Sequence, residues 1–189
     1  MPLETKIALF VSRPKDNPNL PNFKTRRFAF LYQEGDQKTP LQLFPLFIEF
    51  VNQGRPNETS RLYVSVNTRN MEKVRKQLII KLIEDEDTDL LNLPSILTSI
   101  AARPENAKEK KWLLDVDIPQ EKERKEFEED LAKAMGETSY DFKYETPNGM
   151  GYIVSHHFDT RSLQEKWKEK FTLKRDSMRY VYSRTNTKE

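Results

Sequence analysis

Apolar residues in this chain come in short runs separated by polar, proline-bearing stretches, and the period of each run predicts its conformation. Ile7 to Val11 is an unbroken apolar strand, followed by a loop over 13–26 with three prolines and three asparagines. Phe28 to Tyr32 is a second strand, closed by the turn-forming run from Glu34 to Gln37. Thr39 before Pro40 reads as the N-cap and first residue of a helix running to Gly54, with Pro45 weakening its first turn. Arg61 to Asn67 alternates, placing Leu62, Val64 and Val66 on one face. Asn70 then caps a helix in which Met71, Val74, Leu78 and Leu82 recur at helical spacing. Residues 85–110 follow neither period and are divided by Pro94, which predicts a solvated connector.

The second half opens with Lys110 to Gln120 (KKWLLDVDIPQ), an apolar strand ending in two acids. A charged helix with a narrow stripe of Phe127, Leu131 and Ala134 follows, ended by Gly136. Ser139 to Glu145 alternates as a strand, Thr146 to Gly149 makes a turn, and Gly151 to Phe158 completes a hairpin. Ser162 with Glu165 has the spacing of a capping box for a helix carrying Leu163 and Trp167. Met178 to Ser183 is the last strand, and 184–189 is a polar tail. This order predicts an α/β (α+β) fold in a single domain over 1–189, a two-layer sandwich with a mixed, largely antiparallel sheet. A parallel sheet covered on both faces demands strands more continuously apolar than these.

Composition narrows the function classes. Lys plus Arg number 32 against 30 for Asp plus Glu, a net of +2, so any basic binding surface is local. The chain has no cysteine, which excludes disulfides, thiolate metal sites and cysteine nucleophiles and agrees with a reducing cytoplasm. The early apolar run is too short for a signal peptide and no run approaches ~20 residues, so a cytoplasmic protein with no membrane partner is expected.

Candidate chemistry begins at the two acids. Alternation puts Leu113, Asp115 and Asp117 on one face, and carboxylates two positions apart on a strand lie roughly 6.5 to 7 Å apart at Cα. They can converge on Mg²⁺ or Mn²⁺, hard ions that substrate phosphates complete. The alternative is that Asp117 caps the next segment while Asp115 pairs with a nearby Lys or Arg. In Gly151 to Asp159 the same parity places Ser155 and His157 together and His156 opposite. Ser155 and His157 are expected beside the carboxylates as phosphate contacts; the alternative is strand-end histidines with one bonded to a backbone carbonyl. Asp159 is a candidate third metal ligand, with Asp176 as an alternative and Glu145 behind them. Lys111, Lys174 and Arg175, with Ser155 and His156, are the candidate substrate contacts, and Tyr180 and Tyr182 interleave with the C-terminal basic residues.

A strand of three apolar residues, Asp, apolar, Asp (here Asp115 and Asp117), followed by a later strand carrying Ser-x-His (here Ser155 and His157), resembles the catalytic core of the archaeo-eukaryotic primase superfamily, the primase-polymerases. The resemblance spans roughly residues 60 to 185 in element order and about ten residues in motif. It implies an RRM-like core, two divalent metals held by the carboxylates, a catalytic set of Asp115, Asp117 and His157, and nucleotides or nucleic acid as partners. The family's third motif has no good match, since Asp159 follows Ser155 and His157 too soon. Asn148 to Tyr152 could instead replace the family's Ser-Gly-x-x-His stretch, with Tyr152 where histidine belongs. So short a form resembles small viral or plasmid proteins. Haloacid dehalogenase phosphatases also start from a strand ending Asp-x-Asp, but Ile118 and Pro119 break that pattern. Beside the enzyme stand two readings without catalysis: an RRM-like module binding RNA, single-stranded DNA or a protein partner, and a viral interaction protein.

Overall fold

The computed structural model describes residues 4–35, 40–136, 140–155 and 157–188. The chain divides into two compact units: the first runs to Lys108 and resumes at Tyr180, and the second is Glu109–Arg179. Each has its own four-stranded sheet and its own apolar cluster. The α+β class with antiparallel strand pairing is as expected, but the strands form two sheets where one was expected. The length of one domain thus holds two cores.

In the first unit β1 (Glu4–Ser12) pairs antiparallel with β2 (Arg26–Glu34) and β3 (Thr59–Ser65), and β8 (Met178–Thr185) completes the order β2-β1-β3-β8. Thr59 bonds Thr185 while Tyr63 meets Tyr180, so β8 runs antiparallel to β3. The unbroken apolar run of β1 is explained by cover on both faces. Ala8 and Phe10 pack with Leu62, Val64 and the buried side of α1 (Phe44–Asn52). On the other face Ile7, Leu9 and Ala29 line a groove with Pro94, Thr98 and Ala102 of the α3 region.

Two prolines act here opposite to expectation. Pro45 lies in the first turn of α1, where a missing N–H costs nothing, and Leu41–Leu43 before it forms a 3-10 turn. Thr39 lies outside the described residues. Pro94 likewise opens α3 (Leu93–Ala101), so the expected connector holds a helix, flanked by 3-10 turns at Leu90–Asn92 and Pro104–Asn106. α2 (Met71–Glu84) is capped by Asn70, whose side chain accepts from the Lys73 N–H, as expected. The polar tail is tied down: Asn186 is buried, exchanges backbone hydrogen bonds with Asn57 and Glu58, and donates from its amide to the Gly54 carbonyl.

The second unit runs β4 (Trp112–Val116), α4 (Glu121–Met135), β5 (Phe142–Thr146), β6 (Gly149–Val154), α5 (Arg161–Trp167), β7 (Phe171–Arg175). Its sheet order is β5-β6-β4-β7, antiparallel at each of its three pairs. That βαββαβ order, with the first strand between the third and fourth, is the split βαβ arrangement of RRM-like cores. Trp112, Leu114 and Val116 face α4 and α5, packing on Phe127, Leu131, Leu163 and Trp167. Gly136 ends α4 at φ 71°, a left-handed conformation that favours glycine.

Strand β7 was not expected, because its sequence, FTLKR, is too short and too mixed to show a period. The pattern also extends β6 too far, since the strand ends at Val154 rather than Phe158. The Ser162–Glu165 box does not form. Thr160 is the N-cap, without a side-chain cap bond, and Asp159 instead accepts from the Arg161 N–H at 3.0 Å.

Candidate metal and nucleotide site on the second sheet

The face of this sheet opposite α4 and α5 carries the Asp-x-Asp motif. Asp115 stands opposite Gly151 on β6 and Thr172 on β7. The Asp117 N–H donates to the Lys170 carbonyl at 2.8 Å, so the β4–β7 ladder reaches one residue past the strand. The β4–β6 register, carried one step on, brings Asp117 level with Gly149. Each acid therefore has a glycine as its β6 neighbour, and no β6 side chain screens it.

The glycines are fully used by the packing. A Cβ at Gly149 would meet the Val116 carbonyl oxygen at 2.0 Å, so this residue lets two backbones close up. A Cβ at Gly151 would meet Tyr144 Cζ at 2.2 Å, so the Tyr144 ring lies directly on Gly151, beside Asp115. Phe142, next on the same side of β5, stacks with Tyr144 at 5.8 Å, and the Arg179 guanidinium lies 5.2 Å from the Phe142 ring centre. Tyr144, Phe142 and Thr172 were missed by sequence reasoning. The alternation of Phe142 and Tyr144 with Asp141 and Lys143 was a usable signal; Thr172 was hidden with its strand.

Asp115 already has a cation. Lys174 Nζ reaches Asp115 Oδ2 at 2.5 Å, with both side chains partly exposed. This is the pairing alternative for Asp115, and it places the predicted substrate contact Lys174 in the site. Asp117 is exposed. Among the described residues no group of three His, Asp or Glu side chains gathers in a way that could hold a metal ion.

The other expected members lie elsewhere. Ser155 is four residues beyond Gly151, about 13 Å along the strand direction, too far to share an ion or phosphate with Asp115. Ser155 hydrogen-bonds Asp141, and Lys111 Nζ lies 4.0 Å from the same carboxylate. His157 has left the strand: its ring stacks on Trp112 at 4.5 Å and 12°, and Nε2 is 3.3 Å from the Lys110 carbonyl oxygen. Trp112 belongs to the helix-side core, so His157 sits on the side away from Asp115. Parity identified residues of one face only while the strand lasted. Arg175, opposite Trp112 on β7, also takes that side, its guanidinium 5.6 Å from the Trp112 ring centre. His156 lies outside the described residues.

Asp159 is likewise occupied. Its carboxylate accepts from the backbone and the guanidinium of Arg161, and that hydrogen bonding lowers its pKa to about 2. It is a turn and cap residue. Tyr152, the candidate replacement for a family histidine, points to the helices: it is buried, and its hydroxyl donates to Glu128 at 2.8 Å. Burial, then the Glu128 carboxylate, push its phenol pKa up.

On the helix side, α5 and β7 frame a groove of about 970 Å³ lined by Arg161, Gln164, Glu165, Lys168, Phe171, Thr172, Leu173 and Arg175. Three cations against one acid make it locally basic. Comparison with protein families, curated proteins and solved structures finds no match to this chain. No helix among the described residues is long and apolar enough to cross a membrane.

Proposed function

We propose that Glu109–Arg179 is a divalent-metal-dependent, primase-like centre for nucleotidyl transfer or phosphodiester processing on nucleotides or nucleic acid, with Asp115 and Asp117 as the metal ligands. The observation that carries this reading is the register: both acids fall on the sheet face opposite the helices, each beside a glycine, with Lys174 as the cation in place. Fold stability gives no reason for such a pair, because a partly exposed ion pair contributes about 0 to 1 kcal/mol. The donor set suits Mg²⁺ or Mn²⁺, which are commonly held by one or two carboxylates with water and substrate phosphates completing the shell. Such an ion, when bound, supplies charge stabilisation at a transferring phosphoryl group. The chain's own part is to hold the two carboxylates on one rigid strand and to offer Lys174, once released from Asp115, to a phosphate oxygen.

The test is thermal unfolding during Mn²⁺ and Mg²⁺ titration, with and without a nucleoside triphosphate. The wild type should be stabilised by mass action, and Asp115→Asn with Asp117→Asn should not respond. A wild type indifferent to both ions would remove the metal reading.

One observation favours a second reading, an RRM-like module that binds RNA or single-stranded DNA without chemistry. The stacked Phe142 and Tyr144 rings share the face of Asp115, and aromatic rings on such sheets stack bases. Oligonucleotide binding that persists in chelator and is lost in Phe142→Ala with Tyr144→Ala supports this reading over the first.

A further inference from the structure

Strand β2 is the outermost strand of the first sheet and pairs with β1 in unbroken register from Arg26 to Glu34. The direction of its free backbone groups follows from β1. The Thr5 carbonyl accepts from the Arg69 N–H and the Ile7 N–H donates to Ser65 Oγ, so odd-numbered residues of β1 turn to β3 and even-numbered ones to β2. Even-numbered residues of β2 therefore exchange bonds with β1, and the N–H and C=O groups of Arg27, Ala29 and Leu31 point out of the sheet. Gln33 obeys the same rule, its carbonyl accepting from the Gln42 side-chain amide at 3.2 Å.

Edge strands are normally short, bulged, charged or interrupted by proline, because open backbone groups recruit other chains. The middle of this edge, Phe28 to Leu31, is apolar and unbulged, and Phe28 is 52% exposed. Beside it lies a groove of about 500 Å³ between β2 and α3. Leu91, Pro94, Ser95 and Ser99 line it from the α3 side, Leu9 and Ala29 from the sheet. Among the described residues that line it, Arg27 alone is charged. The nearby carboxylate of Asp89 is taken by the Leu91 N–H and the Asn92 amide.

We propose that this groove binds an extended peptide of a partner protein, which adds antiparallel to β2 as a fifth strand of the first sheet and sets a carboxylate side chain against Arg27. Each feature selects one property of the occupant. Outward N–H and C=O groups at every second residue match a peptide strand, whereas a phosphodiester chain would answer the N–H groups and repel the carbonyls. A residue opposite Ala29 points to the same face as Ala29, and over that small side chain an aliphatic group reaches Leu9 and Pro94. In an antiparallel strand the residue opposite Arg27 comes two places later. The sequence recognised is therefore apolar, any, apolar, any, acidic, facing Leu31, Ala29 and Arg27 over roughly 13 Å.

Fluorescence anisotropy tests this on the full chain with a fluorescein-labelled peptide, Val-Thr-Val-Thr-Glu, blocked at both ends. The wild type should bind it saturably. N-methylation of the central valine removes the N–H that faces Ala29 and should weaken binding about tenfold, while N-methylation of the second threonine, whose N–H points away, should leave it nearly unchanged. Ser99→Trp fills the groove from an exposed position on α3 and should abolish binding. Arg27→Glu should weaken binding of this peptide and strengthen that of its counterpart ending in lysine. Unchanged circular dichroism guards each variant against a folding defect. No saturable binding by the wild type, equal effects of the two methylations, or full binding by Ser99→Trp overturns the proposal. A wild type that dimerises in sedimentation and loses the dimer in Ser99→Trp assigns the groove to a second copy and overturns it as well. The outcome is independent of metal binding at Asp115.

Discussion

Lys174 on β7 fills the coordination space of Asp115 on β4, its ammonium 2.5 Å from the carboxylate. The lysine and a divalent ion therefore compete for one group. Removing the lysine charge costs little, within about 1 kcal/mol, because both side chains are partly exposed. It also frees Asp115. Lys174→Met should shift the Mn²⁺ concentration for half-maximal thermal stabilisation downward, and added triphosphate should then give less extra stabilisation than in the wild type. A Mn²⁺ midpoint that stays in place or rises would show that Lys174 does not guard the acid.

His157 is predicted to be silent toward the metal. Its ring stacks on Trp112, on the side facing away from Asp115, and such aromatic pairs contribute about 0.5 to 1.5 kcal/mol. His157→Ala should lower stability by that amount in urea unfolding and change the tryptophan emission, while the response to Mn²⁺ is unaltered. Loss of the metal response in this variant would return His157 to the site.

What was legible followed from local period and what was not followed from register. Alternation in Trp112 to Asp117 gave the strand and the common face of both acids, and Asn70 announced α2 because an asparagine oxygen accepts well from the N–H groups that a helix start leaves unpaired. The same parity rule failed at Ser155 and His157. It assigns a face but not a height along the neighbouring strand, and it has no meaning after Val154, where pairing stops. Pro94 reads as an interruption because proline in a helix interior breaks it, and Pro45 as a weak point of its helix, yet both stand at a helix start, where proline is tolerated, and sequence alone does not fix where that first turn begins. The division into two sheets was invisible for a related reason: β7 and β8 are adjacent in sequence, and nothing in Phe171 to Thr185 records that they join different sheets.

Glu58 should make the first unit acid-sensitive. It is 2% exposed and accepts from Arg26 Nη2 at 2.7 Å and from the Arg55 N–H at 2.8 Å. Burial works against its ionisation, but hydrogen bonds from Ser12, the Arg55 backbone and Arg26 outweigh it and hold the carboxyl below its usual pKa. A depressed folded pKa gives stability that is fully present above the unfolded value, near 4.3 for Glu, and is lost as pH falls through the folded value. Urea midpoints should therefore be flat near neutrality and fall below about pH 4.3, with a smaller fall in Glu58→Gln. At pH 7 Glu58→Ala should cost about 2 to 3 kcal/mol, since Arg26 and a backbone donor lose a charged acceptor. An equal acid response in wild type and Glu58→Gln would exclude this residue as the source.

The glycines beside the two acids should respond differently to the same added methyl group. At Gly151 the obstacle is the Tyr144 ring, a side chain that can be removed. At Gly149 it is the Val116 carbonyl oxygen and the Ile118 nitrogen, at 2.0 and 2.9 Å from the added carbon, which are backbone of the neighbouring strand. Gly151→Ala should thus destabilise by about 1 to 3 kcal/mol, the usual range for overpacking, and Gly151→Ala with Tyr144→Ala should recover much of the loss. Gly149→Ala should cost more and should not be rescued by any side-chain truncation, because β4 and β6 must separate at Asp117 to admit it. Separation there also moves Asp117 relative to Asp115, so Gly149→Ala should weaken Mn²⁺ stabilisation while the rescued Gly151 double variant keeps it. Urea unfolding and Mn²⁺ titration on these three variants and on Gly149→Ala with Tyr144→Ala check both halves, and rescue of Gly149→Ala by Tyr144→Ala would contradict the assigned contacts.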